Sequence, residues 1–250
     1  MNLPLSLRLA RVFLHVCTGL ATCAIVFPWI GTAQRNARVQ RWSAELLGIC
    51  RVSLVQMPGA PVLAHAMVVA NHVSWLDIFV INALQPCRFV AKAEIRAWPV
   101  LGWLAAKAGT VFLARGNRRD LRVIFKGLVS ALHGGERVAF FPEGTTAQQG
   151  ALLPFHANLF EAAVDADAVL QPYALSYVDG SGRPHPAVEF LGETSFAESL
   201  VRILSGPPVL AQLACLAPIA AAGRHRRELA QEAHDAVAAA LAQPGRQQAA

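Results

Sequence analysis

Lysine is scarce in this chain. Of the 22 Lys and Arg among 250 residues, the lysines are Lys92, Lys107 and Lys126. The positive charge is therefore mostly arginine. It is scattered, and no dense basic patch for nucleic acid stands out. Cysteine is sparse and odd in number. Cys17, Cys23, Cys50, Cys87 and Cys215 show no C-x-x-C spacing, so neither a disulfide framework nor a zinc site is expected. Free thiols fit a reducing compartment. The eight histidines show no H-x-x-x-H or H-E-x-x-H spacing, which argues against a metal. A G-x-S-x-G elbow, a nucleotide-binding glycine loop, internal repeats and low-complexity tracts are all lacking.

What is abundant is apolar surface. Hydrophobic residues make up 54% of the chain and the mean hydropathy is +0.40, which favours membrane association. A net charge of +6 and a pI near 9.5 suit an anionic partner such as membrane lipid, a phosphorylated substrate or an acidic carrier protein. The length allows one sizeable core plus an appendage.

Residues 1–50 are expected to be that appendage, a membrane anchor. Val12 to Gly31 form an apolar stretch long enough for a bilayer core of ~30 Å. Gly31-Thr32-Ala33 would pass for a signal cleavage site, but the stretch is long for a signal core. Arginines on both sides leave its orientation open. Gln34 to Cys50 mix Arg35, Arg38 and Arg41 with Trp42, Leu46 and Leu47, the composition of an interfacial helix. A hairpin in one leaflet and a single span are both compatible with this; a buried core helix is the plain alternative.

From residue 51 short apolar runs alternate with helical stretches. Strands are expected at Val52–Gln56, Met67–Ala70, Cys87–Ala91, Thr110–Ala114, Val138–Phe141, Ala168–Tyr177 and Val188–Leu191. Helices are expected at Trp75–Leu84, Pro99–Ala108, Arg119–Leu132, Leu159–Asp165 and Phe196–Leu204. This order gives an α/β fold over 51–222: a largely parallel sheet flanked by helices, with the N-terminal membrane-associated helical segment before it. Residues 223–250 read as a C-terminal amphipathic helix and a frayed tail.

Three motifs end expected strands, where ligands gather in such sheets. Asn71-His72-Val73-Ser74-Trp75-Leu76-Asp77 follows the run 66–70 and sets a histidine five residues before a carboxylate. Ser74 reads as the N-cap of the next helix, and Asp77 falls in its first turn. A carboxylate there can fix the imidazole tautomer and raise its basicity. Gly109-Thr110-Val111-Phe112-Leu113-Ala114-Arg115 ends in a guanidinium suited to phosphate. Phe141-Pro142-Glu143-Gly144-Thr145-Thr146 offers a tight turn with backbone N–H groups and hydroxyls. Taken singly, each has a bland reading as capping acid, strand-end charge or surface turn.

Their order, a histidine–carboxylate pair, then G-x-V-F-L-x-R, then F-P-E-G-T, resembles the glycerolipid acyltransferase family, which includes the enzymes that acylate lysophosphatidic acid. A weaker fourth block is Val169-Leu170-Gln171-Pro172-Tyr173-Ala174-Leu175. The resemblance spans roughly residues 66 to 178. It departs at Leu153-Pro154-Phe155-His156-Ala157-Asn158, where the family often has lysine and then glycine. That departure leaves room for another acceptor, such as lyso-ornithine lipid.

The resemblance implies a membrane-bound enzyme moving a fatty acyl group from a thioester to a lysolipid hydroxyl. His72 would be the general base and Asp77 its orienting carboxylate. Arg115, Glu143, Gly144 and Thr145 would hold the acceptor phosphate, with Lys92 a weaker member. It implies no metal and no cofactor beyond acyl-CoA or acyl carrier protein as co-substrate. It also implies a site on the cytoplasmic face of the inner membrane, where acyl donors are made. Two other function classes stay open: a lipid hydrolase that activates water with the same pair, and a non-catalytic membrane-binding scaffold. The tryptophan-rich stretch 98–104 reads as an acyl tunnel wall or simply as core.

Overall fold

The computed structural model describes residues 3–113 and 118–243. The chain opens with α1 (Leu5–Ala21), widens into a π-helical turn at Thr22–Val26 and tightens into a 3-10 turn at Phe27–Trp29. Pro28 accounts for the break, since it has no N–H to donate and clashes with the preceding turn. Arg35 then donates to the carbonyls of Phe27 and Ile30 that the break leaves over. α2 (Thr32–Ile49) returns along α1. The expected apolar helix thus starts earlier than Val12 and stops short of Gly31.

The hairpin is closed by unlike side chains. His15 stacks on Trp42 at 4.5 Å, and its Nε2 lies 2.9 Å from the Trp42 carbonyl. Trp42 Nε1 donates to the His15 carbonyl at 3.1 Å. At the N-terminal end, Arg8 is buried and donates to the carbonyl of Leu204.

The domain that follows carries β1 (Val52–Gln56), β2 (Met67–Ala70), α3 (Leu76–Leu84), β3 (Arg88–Lys92), α4 (Leu101–Lys107) and β4 (Val111–Leu113). It continues with α5 (Arg118–His133), β5 (Val138–Phe140), α6 (Glu161–Asp165) and β6 (Val169–Val178). α7 (Phe196–Ser205), β7 (Val209–Cys215), β8 (Ile219–Ala220) and α8 (Arg226–Leu241) complete it. The strand order is β1-β7-β6-β2-β5-β3-β4, with β8 on β6. β6, β2, β5, β3 and β4 run parallel; β7 is antiparallel to β6 and parallel to β1.

Alternation along the strands splits the core in two. Val68, Ala70, Ala139, Leu175 and Tyr177 face the side covered by α2, α3 and α7. Met67, Val69, Phe140 and Leu170 face α5, α6 and α8. Every parallel strand therefore ends on one edge of the sheet, the edge that carries the motifs.

Several expectations change. Val188–Leu191 is no strand: a 3-10 turn covers Pro186–Val188, and Pro186 interrupts any ladder. β7 and β8 were not foreseen. Ser74 is not a helix cap; its hydroxyl is buried without a partner among the described residues, and α3 begins at Leu76 without a side-chain cap. The C-terminal helix forms as expected, its start tied down by ion pairs of Arg224 with Glu232 at 2.6 Å and Arg226 with Glu161 at 3.6 Å.

Candidate active site

β2 ends at Ala70, and the next residue locks that end in place. Asn71, buried, donates from Nδ2 to the Leu175 carbonyl at 2.9 Å and accepts from the Leu175 amide at 2.8 Å. The amide side chain thus replaces the ladder where β2 leaves β6. Its neighbour His72 is pushed out over the strand ends.

His72 Nδ1 lies 2.7 Å from Oδ2 of Asp77. The same oxygen accepts the backbone amides of Val73 at 2.7 Å and Ser74 at 3.0 Å. This is why Ser74 is not needed as a cap: the carboxylate in the first turn reaches back and takes the free N–H groups itself. Oδ1 accepts the Tyr177 hydroxyl at 2.6 Å. Asp77 is fully buried, whereas His72 keeps 18% of its side chain exposed. A carboxylate holding Nδ1–H fixes the tautomer whose Nε2 lone pair is free. Among the described residues Nε2 has no hydrogen-bond partner.

The ring plane is also fixed. His72 stacks on Phe141, with centroids 3.9 Å apart and planes 7° from parallel, and Phe141 in turn lies on Phe89. Phe141 is the first residue after β5, and β5 neighbours β2, so sheet register sets this stack.

Glu143 is buried, and both its oxygens are taken by backbone amides. Oε1 accepts His72 N–H at 2.7 Å and Oε2 accepts Leu153 N–H at 2.9 Å. Burial pushes its carboxyl up, against the pull of those two amides. Both Glu143 oxygens are thus engaged inside the turn. Gly144 adopts φ +69°, a conformation that favours glycine. A Cβ there would lie 3.4 Å from the His156 ring. Thr145 is exposed, while Thr146 donates its hydroxyl to the Phe190 carbonyl.

Lys92 is exposed at the end of β3, on the same edge as His72, and makes no ion pair among the described residues. Arg115 lies outside the described residues. Tyr177, Asn71 and Phe141 were not singled out from sequence as working residues. Each acts through a partner distant in the chain, and no local spacing announces that.

Comparison with known proteins fits this geometry. The family described as Acyltransferase matches residues 55–176, which hold all three motifs. A lyso-ornithine lipid O-acyltransferase of Pseudomonas aeruginosa is 38% identical over 245 residues, covering 96% of this chain and 94% of that one. The chain belongs to the acyltransferase family. A 1-acyl-sn-glycerol-3-phosphate acyltransferase of Neisseria gonorrhoeae is 47% identical to this acyltransferase over 128 residues, half of each chain. The crystal structure of PlsC, the 1-acyl-sn-glycerophosphate acyltransferase of Thermotoga maritima, shares the fold. Its TM-score is 0.63 at 19% identity, covering 94% of this chain and 96% of that one.

Proposed function

We propose that this acyltransferase moves a fatty acyl group from an acyl thioester to the free hydroxyl of lysophosphatidic acid, giving phosphatidic acid. The observation that carries the chemistry is the His72–Asp77 contact, 2.7 Å at Nδ1, with Nε2 unengaged among the described residues. The acceptor hydroxyl attacks the thioester carbonyl carbon while Nε2 takes its proton. The C–S bond then breaks and the imidazolium returns the proton to the leaving thiolate. The nucleophile belongs to the substrate, so the enzyme needs no serine of its own. Asp77 holds the tautomer and stabilises the imidazolium, and Phe141 holds the ring plane.

Arg115, Lys92 and Thr145 are the groups assigned to the acceptor's anionic head, with Gly144 shaping the turn. Glu143 serves the acceptor indirectly, by holding the His72 backbone and the 151–155 loop in register.

A second acceptor has specific support. The relative that spans nearly the whole chain is named for lyso-ornithine lipid. That head group carries a carboxylate in place of a phosphate, and the same guanidinium chemistry would serve it. The hairpin would seat the enzyme in one leaflet, with the domain on the cytoplasmic face.

The test is acyl transfer by the full chain in vesicles, given labelled acyl-CoA or acyl carrier protein with either lysolipid, beside His72→Ala. Phosphatidic acid that needs His72 supports the main reading and names the donor. Product from lyso-ornithine lipid alone would change the acceptor. Free fatty acid without acceptor would sink transfer in favour of hydrolysis.

A further inference from the structure

β3 ends at Lys92 on the site edge, and β4, parallel to it, starts at Val111 on the opposite edge. The chain between them must therefore travel the whole height of the sheet. A right-handed crossover places it on the face that carries α3 and the hairpin. The same face carries the packing of the hairpin, through Val12, Leu46 and Leu47.

That segment exposes large apolar side chains. Trp98 and Trp103 are each 39% exposed and Val100 is 45% exposed. Val100 adopts φ 65° and ψ −59°, and Leu101 N–H reaches the Pro99 carbonyl at 2.6 Å. This is the strained γ-turn, rare for any residue and more so for a β-branched one. Such strain at an exposed apolar tip marks a segment shaped for something other than core packing. Cations sit beside it: Lys107 lies 5.4 Å from the Trp103 ring centre and Arg96 5.9 Å from that of Phe112. Indole rings with neighbouring cations are the composition of a membrane interface. The hairpin end also presents large apolar side chains, Ile25 at 67% and Trp29 at 86% exposure.

We infer that the 93–108 connection is a second lipid-embedded element. With the hairpin it forms one continuous bilayer-facing surface that leads to the His72 edge. The occupant of this surface is phospholipid, and the charged neighbours match an anionic leaflet. The inference rests on the membrane association proposed above and not on the chemistry, because its first readout needs no turnover.

The experiment uses the full chain with Trp29→Phe, bound to anionic vesicles whose phospholipid acyl chains are brominated. Tryptophan emission should be quenched, and adding Trp98→Phe with Trp103→Phe should cut that quenching at least about threefold. Trp98→Glu with Trp103→Glu should raise KM for a vesicle-borne lysolipid about tenfold. It should leave turnover of a short-chain, water-soluble donor and acceptor unchanged. Equal quenching with and without these two tryptophans would overturn the inference. So would quenching by a brominated acyl thioester alone, without vesicles, which would place the rings on the donor chain.

Discussion

Tyr177 donates its hydroxyl hydrogen to Oδ1 of Asp77 at 2.6 Å, linking two fully buried side chains a hundred residues apart. With His72 and two backbone amides on the other oxygen, the carboxylate has four partners. Burial, with Asp77 alongside, holds the phenol well above its ordinary range, so it stays a donor wherever the enzyme works. Each donor on a carboxylate draws charge away from the imidazole it faces.

Tyr177→Phe keeps the ring and removes one of those donors. The carboxylate loses one of the four partners that fix its position against His72, so kcat should fall while KM for the acyl donor changes little. The buried Oδ1 loses its partner, which should cost about 1–3 kcal/mol of stability. Steady-state kinetics and a denaturant titration check both. An unmoved kcat would leave Tyr177 with packing alone.

His72 and Asp77 should separate in a different way. His72 is partly exposed, and Asp77 keeps three other donors without it, so His72→Ala should cost ~10²–10⁴-fold in kcat with a modest loss of stability. Asp77→Asn presents its NH₂ either to the Val73 and Ser74 amides together with His72, which disrupts the turn, or to the Tyr177 hydroxyl, and in both cases it removes the charge that holds the imidazolium. Its turnover should fall as far, and its Tm should fall with it. Turnover and thermal unfolding of both variants test this.

What was legible in the sequence follows from distance along the chain. His72 and Asp77 are five residues apart, and a strand-turn-helix reading was enough to pair them. Ser74 misled because an S-x-x-D start leaves open which of its two side chains will cap; here the acid does so from behind. Glu143 has the polarity of a ligand group, and only the fold shows that two backbone amides consume it.

β7 escaped notice because Val-Leu-Ala-Gln-Leu-Ala-Cys suits a helix as well as a strand. Position between β1 and β6 decided it, and that position is tertiary. The strand at 188–191 failed for the converse reason: its residues suit a strand, but no neighbouring strand accepts it. The strands that lead into the motifs were readable because burial on both faces leaves them almost wholly apolar.

Glu143→Gln tests the frame beneath His72. A carboxamide can accept from one of the two amides, but its NH₂ must face the other. One backbone N–H is left unsatisfied, at about 1–3 kcal/mol, and His72 shifts. Turnover should fall more than tenfold, by order of magnitude, while KM for the acyl donor changes little. The pH dependence has a definite sign. Burial raises the folded Glu143 value. Its contribution is therefore fully present below the ordinary glutamate range and lost as pH rises through the folded value. The variant lacks this titration, so its stability deficit should be wider near about pH 4 than near about pH 7. Denaturant titrations at both pH values check it; a deficit that widens with pH would contradict the assignment.

Gly19 tests whether the hairpin acts as one unit. A Cβ added there would lie 2.8 Å from Nε1 of Trp42, the atom that donates to the His15 carbonyl. The indole is also stacked on His15 and tilted against Phe79 of α3, so it has little room to yield. Gly19→Val should force α1 off α2 at a cost of about 1–3 kcal/mol, the usual range for overpacking. α2 also donates from Gln40 to the last carbonyls of α3, and Arg8 of α1 donates to the Leu204 carbonyl, so the domain holds each helix of the hairpin separately. The variant should keep its fold and its turnover of water-soluble substrates while vesicle binding and activity on vesicle-borne lysolipid fall together. Vesicle sedimentation beside both activity assays checks this. Full activity on vesicles with α1 detached would mean that α2 and the domain seat the enzyme unaided.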